Sequence, residues 1–306
     1  MKEISKDHSP FFQAGILMAM MFVGLFIGQL ISVLIIVATS TDPADNMVVD
    51  FLAQPVWTLQ ATQFITAVTT FLLPALVTAW LCNANPKTYL SIQAFPDIRL
   101  LAVVCIATLL LSPTVSLTGY FNSQMHLPQS MAAIEAWMQS TEELADALVR
   151  KMVSGQGVVT FIINLFVIAV VAGVTEEFLF RGALLNILRQ KIRNHHVAIW
   201  IVAIIFSTIH LQFYGFIPRM LLGAYLGYLM FWTKNIWIPV CAHFIYNAFA
   251  FIGMSSDSLK DNAIFADEIA PEDIRWLSIV TCLTLIVFFF CLKFVRRPTI
   301  SEMNSE

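Results

Sequence analysis

Long apolar runs separated by short polar segments dominate this chain. Several runs reach the roughly 20 residues that a helix needs to cross about 30 Å of hydrocarbon. The pattern therefore predicts an all-α protein, a polytopic bundle of about eight transmembrane helices embedded in a lipid bilayer. The predicted spans are residues 12–38, 59–82, 100–119, 158–180, 197–211, 218–233, 236–253 and 275–294.

Residues 129–153, between the third and fourth runs, follow a different pattern. Apolar residues recur there at helical spacing on one face, and acidic residues take the opposite face. This is typical of an amphipathic helix at the membrane interface, although a packed connector between spans would show the same pattern. The chain thus divides into an N-terminal transmembrane region (1–156), a core of four spans (157–253) and a last span with a polar tail (254–306).

Composition supports a membrane protein and excludes several other classes. Apolar types make up 58% of the 306 residues, and charged residues only 12%, against roughly 25% in soluble domains. A net charge of −3 provides no basic surface, so no nucleic-acid partner is expected. The five cysteines form no C-x-x-C pair, which argues against a redox motif or a cysteine zinc site.

The distribution of basic residues predicts the orientation. If the N-terminus is cytoplasmic, twelve of the 17 Lys and Arg residues fall in cytoplasmic segments and five in outer ones. Cytoplasmic loops carry an excess of basic residues. We therefore expect a multi-pass protein with both termini in the cytoplasm.

Three groups of polar residues interrupt the apolar runs of the second half. A charged side chain at the centre of a membrane costs about 2.5 kcal/mol or more, so such residues usually mark function. The groups are Glu176-Glu177 with Arg181, His210 after Phe206, and His243 with Asn247.

Helix counting predicts that the three groups meet. Glu176 lies 14 residues before Gln190, and His210 lies 14 residues after His196, on either side of a basic turn. At 1.5 Å per residue both are about 20 Å from that turn, and His243 lies at a comparable depth on its own helix. One layer of the bundle can therefore hold all three groups.

Local spacing suggests different roles for the two adjacent carboxylates. Glu177 and Arg181 are four residues apart on one helix face, which favours an internal ion pair. Adjacent helical residues point about 100° apart, so Glu176 is left free to face His210. A carboxylate beside a histidine is a typical general base.

The ordered trio resembles the CAAX-protease and bacteriocin-processing (CPBP) family of intramembrane proteases, which includes Abi proteins and prenyl-protein endopeptidases of the Rce type. The family motifs E-E-x-x-x-R, F-x-x-x-H and H-x-x-x-N correspond here to Glu176-Glu177…Arg181, Phe206…His210 and His243…Asn247. The resemblance covers about residues 157–253 and identifies the six polar residues as candidate catalytic residues. The N-terminal region and the last span contain no matching motif.

The resemblance implies hydrolysis of a peptide bond within the membrane. Glu176 with His210 would activate a water, and His243 with Asn247 would stabilise the oxyanion. The implied substrate is a membrane-embedded or lipidated protein or peptide, with a prenylated CAAX tail as one option.

The resemblance leaves the need for a metal open. His210, His243 and Glu176 could form a zinc site with an open position. The zinc motif H-E-x-x-H is absent, and a metal-free mechanism would use the same residues.

Two other functions compete with the protease hypothesis. A proton-coupled transporter also uses intramembrane Glu and His, but its second half should repeat its first. A non-enzymatic bacteriocin-immunity or scaffold protein would tolerate the loss of Glu176 or His210.

Overall fold

The computed structural model describes residues 8–39, 52–260, 262–266 and 269–296, and over them the chain is helical without strands. This confirms the predicted all-α class. Single helical turns occur at Pro86–Tyr89 and Gln129–Met131. The longer helices are α1 (Pro10–Thr39), α2 (Val56–Cys82), α3 (Ile98–Ser123), α4 (Ala132–Val153), α5 (Val158–Arg189), α6 (His195–Thr208), α7 (Phe216–Thr233), α8 (Trp237–Ser255) and α9 (Asp273–Val295).

Six of these helices in the described part of the chain are long and apolar enough to cross a membrane, namely α1, α2, α3, α5, α8 and α9. Helix α6 has only 14 residues, fewer than the roughly 20 that a span needs. The predicted count of eight is therefore not confirmed, whereas a multi-pass membrane protein is. The predicted cytoplasmic termini include residues 1–7 and 297–306, which lie outside the described residues.

The outer faces of the bundle are strongly apolar. Phe22 and Phe26 of α1 are 68% and 70% exposed, and Leu283 and Phe290 of α9 are 60% and 65% exposed. Side chains of this kind in contact with water would form a large unfavourable patch. Their exposure fits a surface that faces lipid.

Helices α6 and α7 form a tight hairpin inside the bundle. Gly227 on α7 lies so close to α6 that an added Cβ would be 2.8 Å from Cγ2 of Ile199, and one on Gly223 would be 3.1 Å from a ring carbon of Phe206. Small residues at this spacing let helix backbones approach closely. The hairpin loop, residues 209–215, carries His210 into the interior.

Helix α4 has the predicted amphipathic character and packs over that loop. A carboxylate oxygen of Glu142 accepts a hydrogen bond from the backbone N–H of Tyr214 at 3.0 Å. At the end of α4, the carbonyl of Met152 accepts a bond from the side chain of Asn164 on α5. Helix α4 thus closes one side of the space around His210.

Candidate active site

The three groups identified in the sequence meet inside the bundle. Glu176 lies on α5, His210 follows the end of α6, and His243 lies on α8. Oε2 of Glu176 is 3.9 Å from Nε2 of His210 and 4.0 Å from Nε2 of His243. The expectation that these residues share one layer is confirmed.

A second carboxylate lies behind this trio. Oε1 of Glu177 accepts a hydrogen bond from Nη1 of Arg181 at 2.6 Å, and both side chains are fully buried. Nη2 of Arg181 donates to the carbonyl of Gly223 on α7 at 2.8 Å. The predicted internal ion pair is therefore present, and it also ties α5 to α7.

The backbone around the ion pair departs from a regular α-helix. Residues Phe178–Leu184, which follow Glu177 directly, are π-helical. Such segments often occur at functional sites, and the wider turn changes the direction of the side chains that follow. Here the π segment contains Arg181, whose guanidinium reaches both Glu177 and α7.

Hydrogen bonds determine which ring nitrogens carry protons. Nδ1 of His210 is 2.7 Å from the carbonyl oxygen of Phe206. A carbonyl only accepts, so this nitrogen is the donor. Nδ1 of His243 is 2.9 Å from the carboxylate oxygen of Glu177 and likewise donates. In the neutral form of each ring, Nε2, the nitrogen that faces Glu176, is therefore unprotonated.

The spacing around Glu176 suits a bridging water. Separations of 3.9 and 4.0 Å exceed the length of a direct hydrogen bond. A water about 2.8 Å from each of two acceptors spans such a gap. Among the described residues, buried Oε2 of Glu176 has no hydrogen-bond partner. Because an unpaired buried acceptor is costly, the arrangement favours a water that donates one hydrogen bond to the carboxylate of Glu176 and the other to the imidazole of His210.

Four of the six candidate residues line a single cavity of about 370 Å³, namely Glu176, His210, His243 and Asn247. Nδ2 of Asn247 donates to the carbonyl of Ile168 on α5 at 3.1 Å, which holds the amide and leaves its second N–H for a ligand. Glu177 and Arg181 are not part of the cavity wall. The structure thus separates four residues that line the cavity from two that lie outside its wall.

Sequence reasoning missed three polar residues of the cavity wall, Gln212, Arg219 and Tyr246. Arg219 has a signal in the sequence, because it is the lone charged residue between His210 and Lys234. Its place near the start of an apolar run made it resemble an ordinary loop charge. Gln212 and Tyr246 carry no signal that separates them from packing residues.

The described residues contain no group of three His, Cys, Asp or Glu side chains arranged to hold a metal ion. A tetrahedral zinc shell places nitrogen and oxygen ligands about 3.3 Å apart. The nitrogen and oxygen atoms of His210, His243 and Glu176 are farther apart, at 3.9 and 4.0 Å from Oε2. These separations are wider than those of a zinc shell, so the reaction proposed for the site assigns its steps to the side chains and a water.

Comparison with known proteins identifies the region that carries the site. Residues 158–249 match the family model described as Type II CAAX prenyl endopeptidase Rce1-like. A curated relative is the "Uncharacterized protein YpbD" of Bacillus subtilis (strain 168), 32% identical over 77 residues, which are 24% of this chain and 36% of YpbD. The match thus spans about a third of that relative. No solved structure matches the chain.

The family match confirms the resemblance inferred from the three motifs and covers all six candidate residues. Helices α1 to α4 and α9 lie outside the matched segment. Residues 158–249 of this multi-pass membrane protein are therefore similar to the Rce1-like family.

Proposed function

We propose that this protein is an intramembrane endopeptidase that hydrolyses a peptide bond with a water activated by Glu176 and His210. The observation that carries the proposal is the unpartnered Oε2 of Glu176 between two histidine Nε2 atoms at 3.9 and 4.0 Å. The Rce1-like match over the same residues supports it.

In the proposed reaction the water donates hydrogen bonds to Glu176 and to Nε2 of His210, which orients its lone pair toward the substrate. Glu176 takes a proton as the water oxygen attacks the carbonyl carbon. When the C–N bond breaks, the protonated carboxyl returns that proton to the leaving amine. The products are a new carboxyl end and a new amino end, so all atoms are accounted for.

The developing oxyanion needs donors, and Asn247 and His243 are the ones in the cavity wall. The free N–H of Asn247 can donate directly. His243 donates from Nε2 only if it has taken up a second proton from solvent before the reaction begins, and the Glu177 carboxylate at its Nδ1 would stabilise that imidazolium, as a carboxylate does in a catalytic triad. One prearranged donor in a dry site is worth about 3 kcal/mol of barrier.

The proposed substrate is a membrane-embedded or lipidated protein or peptide. Apart from its polar cluster, the cavity is lined by apolar residues, including Val149 and Val153 of α4 and Leu222 of α7. Such a wall suits an apolar peptide segment or a lipid-anchored chain end. A prenylated CAAX tail belongs to this class.

The test measures cleavage of membrane-anchored peptides, prenylated and unprenylated, by purified protein in liposomes, with mass spectrometry of the products. Glu176→Gln keeps the shape of the side chain but removes the base, and should lower kcat at least about 10³-fold. His210→Ala should give a comparable loss. The control Glu143→Gln makes the same chemical change on an exposed part of α4. A wild-type cleavage rate for Glu176→Gln at normal expression would show that Glu176 is not the base, whereas no cleavage by the wild-type protein would favour a scaffold or immunity protein.

The same assay addresses the metal. We expect the rate to persist after treatment with a zinc chelator, because the separations around Glu176 do not match a zinc shell. Loss of activity that added zinc restores would show instead that the trio closes around a metal.

A further inference from the structure

At one end of the bundle, the helix ends and loops form a basic face. It comprises the described residues 82–99, 189–195, 232–237 and 293–296. Nε1 of Trp237 donates to the carbonyl of Gln93 at 3.2 Å, and the guanidinium of Arg296 lies 4.3 Å from the ring centroid of Trp232. This face carries one acidic residue, Asp97, and eight basic ones, namely Lys87, Arg99, Arg189, Lys191, Arg193, Lys234, Lys293 and Arg296.

The opposite end, the α4 face, is acidic. It comprises the described residues of 123–158, 209–216 and 255–275. The ring centroids of Trp137 on α4 and Phe213 in the hairpin loop are 5.2 Å apart. The described part of this face carries four Lys and Arg residues against seven Asp and Glu residues. Helix α5 joins the two faces, and its 32 residues are about 48 Å long, enough to place the faces on the two sides of a membrane.

The catalytic cavity extends from its reacting groups towards the α4 face. Its wall includes Val149 and Val153 of α4 and reaches Met254 in the last turn of α8. Among the described residues, none that belongs to the basic face lines this cavity. Glu176 and His243 are therefore approached from the α4 side.

In the direction of the basic face, the bundle beside Glu176 is tightly packed. Glu177, Phe180 and Arg181 are at most 1% exposed, and Phe206 is 2% exposed. The rings of Phe180 and Phe206 pack edge to face with their centroids 5.1 Å apart, and the guanidinium of Arg181 lies 4.9 Å from the Phe206 centroid. Close packing of this kind leaves no path for a polypeptide from the basic face.

A second and larger cavity, of about 850 Å³, lies on the α4 face beside the catalytic one. Gly215 lines both cavities. Asp146, in the wall of the larger cavity, accepts a hydrogen bond from Nε2 of Gln212 at 3.5 Å. Oε1 of Gln212 in turn accepts from Nη2 of Arg219 at 2.7 Å, and both of these residues line the catalytic cavity. A continuous row of polar groups thus connects the α4 face with the catalytic cavity.

We propose that the α4 face lies on the non-cytoplasmic side of the membrane and that substrate and water reach Glu176 from there. Cytoplasmic segments carry the excess of Lys and Arg in membrane proteins, so the basic face belongs in the cytoplasm. The inference rests on the proposed peptidase function and narrows its substrate class. The substrate is then a membrane-attached polypeptide whose scissile bond is presented outside the cytoplasm.

The first test measures from which side the cavity is accessible. A charged methanethiosulfonate reagent is added to right-side-out and to inside-out vesicles that contain Glu143→Cys, Gln212→Cys or Arg193→Cys. Glu143 is exposed on the α4 face, and Arg193 is its exposed counterpart on the basic face. The unsubstituted protein gives the background from the five native cysteines.

Glu143→Cys and Gln212→Cys should react at least about 10-fold faster in right-side-out vesicles, because a charged reagent does not cross the hydrocarbon core. Arg193→Cys should show the opposite preference. Reaction of Gln212→Cys from the same side as Arg193→Cys, or from neither side, would contradict access through the α4 face. Faster reaction of Glu143→Cys in inside-out vesicles would show the inverted orientation and would also overturn the proposal.

The second test measures cleavage from each side. A lipid-anchored peptide with charged residues, which confine it to the leaflet to which it is added, is mixed with either vesicle preparation. Right-side-out vesicles should cleave it at least about 10-fold faster than inside-out vesicles. Detergent should then equalise the two rates, which controls for the amount of active protein, and Glu176→Gln vesicles give the background. Faster cleavage by intact inside-out vesicles would show that the proposal is wrong.

The two tests separate this inference from the proposed function. If neither preparation cleaves the peptide, even in detergent, the peptidase proposal fails. Labelling of Gln212→Cys from the side of Glu143→Cys in right-side-out vesicles would still support access from the non-cytoplasmic side. If both preparations cleave in detergent but labelling shows the inverted orientation, the peptidase proposal stands and this inference falls.

Discussion

Nδ1 of His243 lies 2.9 Å from Oε1 of Glu177, a carboxylate oxygen that is not part of the cavity wall. The same oxygen accepts the hydrogen bond from Arg181. The two adjacent carboxylates thus have different surroundings. Glu176 lines the cavity, and Glu177 accepts a hydrogen bond from the side of the His243 ring that faces away from Glu176. This is the relation of an orienting carboxylate to its histidine in hydrolytic sites.

Glu177→Gln should therefore impair catalysis through His243 rather than through the water. The neutral amide would no longer stabilise an imidazolium, so kcat should fall about 10²-fold with a smaller change in KM. Steady-state kinetics on a membrane-anchored peptide measure both constants. An unchanged kcat would show that His243 needs no carboxylate behind it.

Arg181 should be important for stability. Arg181→Met removes the partner of a fully buried carboxylate and the bond to Gly223, which should destabilise the protein by about 3–5 kcal/mol. The double variant Glu177→Gln with Arg181→Met leaves no buried charge and should recover part of that loss. Thermal unfolding in detergent of the single and double variants gives the coupling between the two residues. Strictly additive effects would contradict a direct pairing.

The α6–α7 hairpin should not tolerate a methyl group at Gly227. The added Cβ would lie 2.8 Å from the Cγ2 methyl of the β-branched Ile199, and such overpacking typically costs about 1–3 kcal/mol. Gly15→Ala is the matched control, since a Cβ at Gly15 has open space around it. We expect a lower melting temperature for Gly227→Ala and an equal or higher one for Gly15→Ala. Equal effects would show that the hairpin has room to adjust.

The contact between α4 and the loop 209–215 should weaken as pH rises. Burial raises the pKa of Glu142 above its ordinary value, against the opposing effect of the hydrogen bond from Tyr214. The docked helix therefore favours the protonated carboxyl of Glu142. Docking is strongest at acidic pH and becomes weaker as the pH rises through the raised pKa of this group. Hydrogen exchange of residues 132–153, corrected for the intrinsic effect of pH, should show this loss.

Two neighbouring substitutions test the assignment to Glu142. Glu142→Gln should make the protection of α4 nearly independent of pH, because the side chain no longer titrates. Glu143→Gln changes the adjacent exposed residue and should keep the wild-type dependence. A pH dependence that persists in Glu142→Gln would locate its origin in another group.

Sequence alone identified the membrane class, the approximate bounds of the helices and the three polar groups. These features are local, because apolar runs and the charges within them can be read from the sequence without knowing how the chain folds. Depth along a helix is also nearly local, since a fixed rise per residue converts a count into a distance. For this reason, counting residues along the helices was enough to predict that Glu176, His210 and His243 lie at one depth of the bundle.

Tertiary structure alone determined which atoms face each other. The orientation of His243 depends on Glu177, 66 residues away, and Nδ1 of His210 is held by the carbonyl of Phe206. Arg219 lines the cavity because the α6–α7 hairpin packs against α5 and α8. Side-chain direction, hydrogen-bond partners and burial arise from helix packing, and residues distant in the chain set that packing jointly.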